Sequence, residues 1–152
     1  MGQSYIKPLA VHLLVYVILF LAIGGLFGGI CLILYPDGHL LQFPLHSLQN
    51  SPFNDFLIPG LILFFLLGIY PLLIFISFFK TASWKFMNIV NIYKDQKSVW
   101  SNSLYLGIIL VLWIDVEMIY IDYSALQTVY GLVGVAIIIL TVHPSVIKYY
   151  KA

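Results

Sequence analysis

Residues 9–35 contain no Asp, Glu, Lys or Arg. A hydrocarbon core about 30 Å thick is crossed by about 20 apolar residues rising about 1.5 Å each, so this run is long enough to span a bilayer. Three further runs meet the same test, and membrane helices are expected near 9–35, 55–79, 103–121 and 125–143. With 62% of the 152 residues hydrophobic and only 9% charged, the chain lies far from the roughly 25% charge of soluble domains. The expected fold is therefore all-α: a polytopic membrane protein with four transmembrane helices in an antiparallel up-down bundle, one domain over residues 1–152. An outer loop is expected at 36–54 and an inner interfacial segment at 80–102. The first run meets no small-residue cleavage site before Pro36-Asp37-Gly38, so it is expected to remain as an anchor. Met1-Gly2-Gln3-Ser4-Tyr5-Ile6 lacks the Ser or Thr that myristoylation wants at the sixth position, so no lipid anchor is expected.

Lysines set the expected orientation, because positively charged loops stay cytoplasmic. Lys7, Lys80, Lys85, Lys94, Lys97, Lys148 and Lys151 all fall on one side of the expected spans, whereas the other side carries Asp37, Asp55 and Asp122. Both termini are thus expected in the cytoplasm, with the chain a multi-pass protein of the cell (plasma) membrane. Cys31 is the single cysteine, which excludes an internal disulfide or a Cys-x-x-Cys redox pair. A net charge near zero without arginine gives no footprint for nucleic acid.

Within the first helix, Gly24, Gly25, Gly28 and Gly29 form two overlapping Gly-x-x-x-Gly pairs, a groove that lets another helix approach closely. Packing inside the monomer is the plainer use of it, and a homo-oligomer contact the other. The outer loop mixes apolar and polar residues and is expected to lie on or dip into the interface. Ser51, Pro52 and Asp55 together suit the start of the second helix. Pro59-Gly60 and Gly68 with Pro71 predict two bends in that helix, read as structural rather than substrate-binding. Phe86, Ile89, Val90 and Tyr93 recur at helical spacing, predicting a short helix on the inner membrane surface. Ser124 and Gln127 fit a capping box in a tight turn between the third and fourth helices, and Gly131 and Gly134 suit close packing in the fourth. An aromatic belt is expected from Tyr35, Phe53, Tyr120 and Tyr123 at the outer edge, and from Tyr5, Trp84, Trp100, Tyr149 and Tyr150 at the inner edge.

On Tyr35-Pro-Asp-Gly38, Ser51-Pro-Phe-Asn-Asp-Phe-Leu-Ile-Pro-Gly60, the stretch from Trp113 to Glu117, and Tyr130-Gly131 with the tail from Pro144 to Tyr150, the chain resembles a group of small bacterial four-helix membrane proteins. The resemblance implies the architecture over most of the chain and implies no activity.

Two carboxylates, Asp115 and Glu117, stand in the third run. A charge at a helix centre costs about 2.5 to 3.5 kcal/mol on insertion, so both call for compensation. Two residues apart, they project about 200° apart around a helix. Glu117 shares a face with Trp113 and Tyr120, potential hydrogen-bond donors, and is the expected interior group; Asp115 shares one with Met118 and Asp122. Expected uses are a proton or cation site or a polar anchor for a ligand, a staple between helices, or a contact with a partner protein. His39, His46, Asp37 and Asp55 offer metal-type ligands without diagnostic spacing, and His12 and His143 haem-type ligands near the inner ends of two helices. The solvated and polar-anchor readings are preferred, so neither metal nor cofactor is expected. No catalytic motif is recognisable, and the absence of arginine removes the usual grip of a lipid-modifying enzyme on phosphate. The expected role is non-catalytic: binding an apolar or amphipathic ligand between the helices, or acting as accessory subunit to a membrane-protein partner. A small oligomeric proton- or cation-coupled transporter using Glu117 is the alternative, and a membrane-embedded lipid-modifying enzyme a third.

Overall fold

The structure is a computed structural model that describes residues 6–80 and 84–152. The expected belt residue Tyr5 and the myristoylation sequence at 1–5 lie outside the described residues. Among those described, 74% is helix and none is strand. Four helices are long and apolar enough to cross a membrane: α1 (Leu9–Leu34), α2 (Leu57–Ser77), α4 (Ser98–Tyr120) and α5 (Ala125–Val142). Two single-turn or near single-turn helices, α3 (Lys85–Ile89) and α6 (Pro144–Tyr149), lie at the end of the bundle that carries all the lysines. The lysine-free end holds the long α1–α2 loop and the short α4–α5 turn.

The four spans form a ring: α1 packs on α2 and α5, and α4 packs on α5 and on one half of α2. Lipid gives helices no hydrophobic reason to associate, so close van der Waals packing and buried hydrogen bonds hold them. Both devices are visible, at opposite ends. A Cβ on Gly25 would strike the Leu67 carbonyl, and one on Gly29 would come within 2.6 Å of the Phe64 Cβ, so these two glycines bring α1 onto α2 backbone to backbone. Gly24 faces Tyr130 of α5 and Gly28 faces Leu63 of α2, so all four glycines are used within one chain. Between α4 and α5 the close approach is Gly107 against Gly134, while Gly131 meets only Ile114 at an ordinary 3.7 Å; of the two glycines expected to serve close packing there, Gly134 alone does.

At the lysine-bearing end the bundle is tied by polar side chains. Tyr70 donates to Asn102 Oδ1 at 2.9 Å, Asn102 Nδ2 donates to the Met87 and Ser98 carbonyls, and Ser101 donates to Asn91 at 2.6 Å. Satisfied in this way, the polar run 98–103 is buried as helix, and α4 starts five residues before the expected residue 103. The inner segment is corrected by the same bonds. Asn91 turns its amide onto the Gln96 carbonyl, which ends helix α3 at Ile89 and folds the chain back, so the segment forms one turn of helix pinned by fully buried Met87. Its expected apolar residues Phe86, Ile89, Val90 and Tyr93 are left exposed. The C-terminal tail closes over this segment, with Lys97 donating to the Tyr150 carbonyl and Ala152 to that of Asp95. Trp100 and Tyr150, expected in the belt, are buried at 6% and 5% exposure, and Trp100 donates to the Thr141 carbonyl at 2.8 Å.

Helix α2 starts at Leu57 rather than near 55. Ser51 is spent on the preceding turn, where its hydroxyl donates to the Leu48 carbonyl and accepts from the Phe53 amide, and Asp55 instead accepts the Leu57 N–H at 2.9 Å. In place of a simple bend before Pro71, residues Leu63–Ile69 are π-helical, with Tyr70 donating to the Phe65 carbonyl five residues back. A proline cannot donate to the carbonyl four residues before it, and a wider turn ahead of it re-registers the ladder. In the α4–α5 turn Gln127 reaches back to accept the Ser124 N–H at 3.0 Å.

Candidate functional site: a cavity at the lysine-free end

The opposed ties of α2 create a space. Its Tyr70–Ser77 half is held to α4 by the Tyr70–Asn102 bond, whereas its Leu57–Ile69 half follows the glycines of α1 and stands away from α4. The gap between them is a cavity of about 630 Å³, in the range of about 300 to 1,000 Å³ typical of small-molecule sites. Its body is apolar, made by Leu21 and Leu32 of α1, Leu63 and Leu67 of α2, and Leu110 and Ile114 of α4.

A roof comes from the α1–α2 loop. Gly38 turns the chain with φ +75° and its carbonyl accepts from Leu41 and Phe43; two short 3₁₀ turns, His39–Leu41 and Leu45–Leu48, follow. Phe43 packs on Phe56 with ring centroids 5.9 Å apart, and Leu48 is buried beside Leu32 and Phe56. Gln42, itself at φ +58°, and His46 sit on the rim. On one side the lining residues Phe27 of α1, Leu126 of α5 and Tyr123 of the turn are 64%, 50% and 69% exposed, so the cavity reaches the lipid-facing surface between α1 and α5. Tyr130 closes that gap below, its hydroxyl against Gly24 and its ring stacked 6.2 Å from Phe20.

Of the residues singled out by sequence, Glu117 and Trp113 line the cavity, one helical turn apart on the same face of α4. Trp113 Nε1 is sealed from solvent, and the hydrogen-bonding neighbour of its N–H is the Glu117 carboxylate, at a geometry looser than a full bond. Asp115 is exposed on the outside of the bundle and Tyr120 is 40% exposed; neither lines the cavity. The early start of α4 also moves the carboxylates. Centred on Ile109, the helix places Asp115 about 9 Å and Glu117 about 12 Å toward the lysine-free end, where charge is less costly than at the centre.

Sequence reasoning missed Tyr130, Gln127 and the roof. Gln127, 4% exposed, gave a signal only as a cap. The metal- and haem-type residues are engaged locally: His39 Nδ1 lies 2.6 Å from Asp37, whose carboxyl that hydrogen bond holds below its ordinary value, His12 Nδ1 faces the Pro8 carbonyl, and His143 pairs with Ser145. Among the described residues no group of three His, Cys, Asp or Glu is gathered for a metal. Comparison with protein families, with curated proteins and with solved structures yields no match.

Proposed function

We propose that the chain is a non-catalytic membrane protein that holds an amphipathic molecule between its helices. The observation that carries this is the roofed apolar cavity, open toward lipid between α1 and α5, with the Glu117 carboxylate among its lining residues. An apolar chamber of this size with few polar groups is the usual form of a small-molecule site.

Catalysis draws no support, because no hydroxyl, thiol or imidazole bonds to Glu117 among the described residues. Coupled transport draws less. Below the cavity Ile18, Leu106 and Ile137 are fully buried, and besides Glu117 the spans hold only Asp115, exposed on the outside of α4, and His12 at the far end among carboxylates, lysines and histidines. The accessory-subunit role and the kinship with small bacterial four-helix membrane proteins belong to the same proposal and rest on sequence alone.

Positive-inside asymmetry supports cytoplasmic termini in a plasma membrane, which puts the cavity in the outer half. A cysteine at Asn50 is then labelled by an impermeant maleimide added outside intact cells, and one at Lys94 only after permeabilisation; the reverse pattern inverts the orientation. For ligand binding, the protein extracted with its native lipid is analysed by native mass spectrometry. The expected result is one small molecule retained per chain and lost in Leu63→Trp, which narrows the cavity. A clean chain mass in every lipid preparation defeats the proposal.

A further inference from the structure

Resting on that reading, we propose that the ligand is a cationic amphipath whose ammonium head seats beside Glu117, among the aromatic residues of the cavity. The sign of the head follows from how charge is distributed over the bundle. Five of the six carboxylates, Asp37, Asp55, Asp115, Glu117 and Asp122, belong to the end that holds the cavity, and all seven lysines to the other. Glu117 and Asp122 are the two that line the cavity, and His46 on the rim is the one lining group able to carry positive charge. Glu117 has the Trp113 N–H as a loose neighbour, and among the described residues the one ion pair is Asp37 with His39, so no cation of the chain meets Glu117. An ionised carboxylate offers about four lone-pair sites, and one loose N–H leaves most of them open. Held away from bulk water, such a group is costly until a cation compensates it.

The rest of the lining suits the same ion. Phe27, Phe43, Phe56, Trp113, Tyr123 and Tyr130 all line the cavity, and aromatic rings attract an ammonium through their quadrupole, most strongly where water is excluded. Trp113 stands one helical turn from Glu117, so carboxylate and indole border the same part of the wall. A hydroxyl head would leave the negative charge of this end uncompensated. A carboxylate or phosphate head would add to it, with no lysine or arginine at that end, which sets aside phospholipids as well as fatty acids. The apolar walls take the remainder of the ligand: about 630 Å³ holds roughly 20 groups the size of a water at about 30 Å³ each, enough for one long alkyl chain with its head. The ligand enters from the membrane, because the gap framed by Phe27, Leu126 and Tyr123 faces lipid.

The test uses the full chain in uncharged maltoside micelles and four sixteen-carbon probes that carry the same photoreactive diazirine and differ only in the head: trimethylammonium, phosphocholine, alcohol and carboxylic acid. Labelled peptides are mapped by mass spectrometry, and half-saturation is read by competition with the unlabelled congener and corrected for partition into micelles. The trimethylammonium probe is expected to label the cavity wall at a concentration about tenfold or more below each of the others. Glu117→Gln keeps the shape and removes the charge, so it should weaken that probe about tenfold and leave the alcohol within about twofold. Comparing the native chain with the variant for one probe cancels any effect of the head on partitioning, and thermal unfolding of the variant separates lost binding from lost fold. If the alcohol, the acid or the phosphocholine probe binds as tightly as trimethylammonium, or if a folded Glu117→Gln chain keeps the native ranking, the head assignment is overturned while the pocket stands. Labelling confined to the lipid-facing surface for all four probes overturns the pocket itself, and with it the reading on which the head rests.

Discussion

At the residue scale the bundle keeps two kinds of polar group: those paired by neighbours and those left over. Tyr150 is of the second kind. Its ring packs 6.0 Å from Phe78 and 4.8 Å from Tyr149, its hydroxyl has no partner among the described residues, and burial raises the phenol pKa further above its ordinary range. Tyr150→Phe removes an unsatisfied hydroxyl and keeps the ring, so thermal unfolding in detergent should show stability unchanged or slightly higher, while Tyr150→Ala should cost about 3 to 5 kcal/mol. Asp37 is the opposite case, since its exposed carboxylate is bonded to His39 in both ring and backbone N–H. A lowered folded pKa means the contact is intact at and above the ordinary value near 3.8 and is lost only as pH falls through the lowered one. In His39→Ala the Asp37 carboxyl resonance should titrate at higher pH than in the native chain, near that ordinary value; an unmoved midpoint would show that His39 is not the cause.

At the element scale α2 decides the site, because its two halves obey different partners. Gly25→Ala drives a methyl into the Leu67 carbonyl, backbone that cannot yield without moving α2, and should cost about 1 to 3 kcal/mol. Gly131→Ala meets only ordinary contact and gains helix propensity, so it should be neutral or stabilise by up to about 1 kcal/mol. Equal losses in the two variants would mean the glycines serve propensity rather than approach. Asn102→Leu strips the bonds to Tyr70, Met87 and Ser98, leaving Tyr70 free to drift from α4. It should lower stability by about 2 to 3 kcal/mol and loosen the lysine-bearing end, read as faster hydrogen exchange at residues 87–102 with the α4–α5 hairpin unchanged.

At the scale of the whole molecule, the number and order of the spanning helices were legible from long apolar runs, because hydrocarbon accepts only backbone that bonds to itself. So were the four-glycine face of α1 and the presence of two costly carboxylates in one span. Helix phase separated Glu117 from Asp115, but not Trp113 from Tyr120, which share a phase although Trp113 alone lines the cavity. Other features depended on residues distant in sequence. The start of α4 at Ser98 was hidden because its serines and asparagine look like loop until Asn91, Met87 and Tyr70 arrive to bond them. The cavity was hidden for a deeper reason. Hydropathy reads one residue at a time and treats a lipid-facing leucine and a cavity-facing leucine alike, so nothing in the pattern distinguishes Leu63 or Leu110 as a wall. What the sequence by itself determined is a four-span chain whose polar groups are few enough to be counted. That two of the residues carrying them, Glu117 and Trp113, line an apolar chamber was decided by the tertiary structure alone, because it took glycine contacts at one end of α2 and hydrogen bonds at the other to hold the helices apart between them.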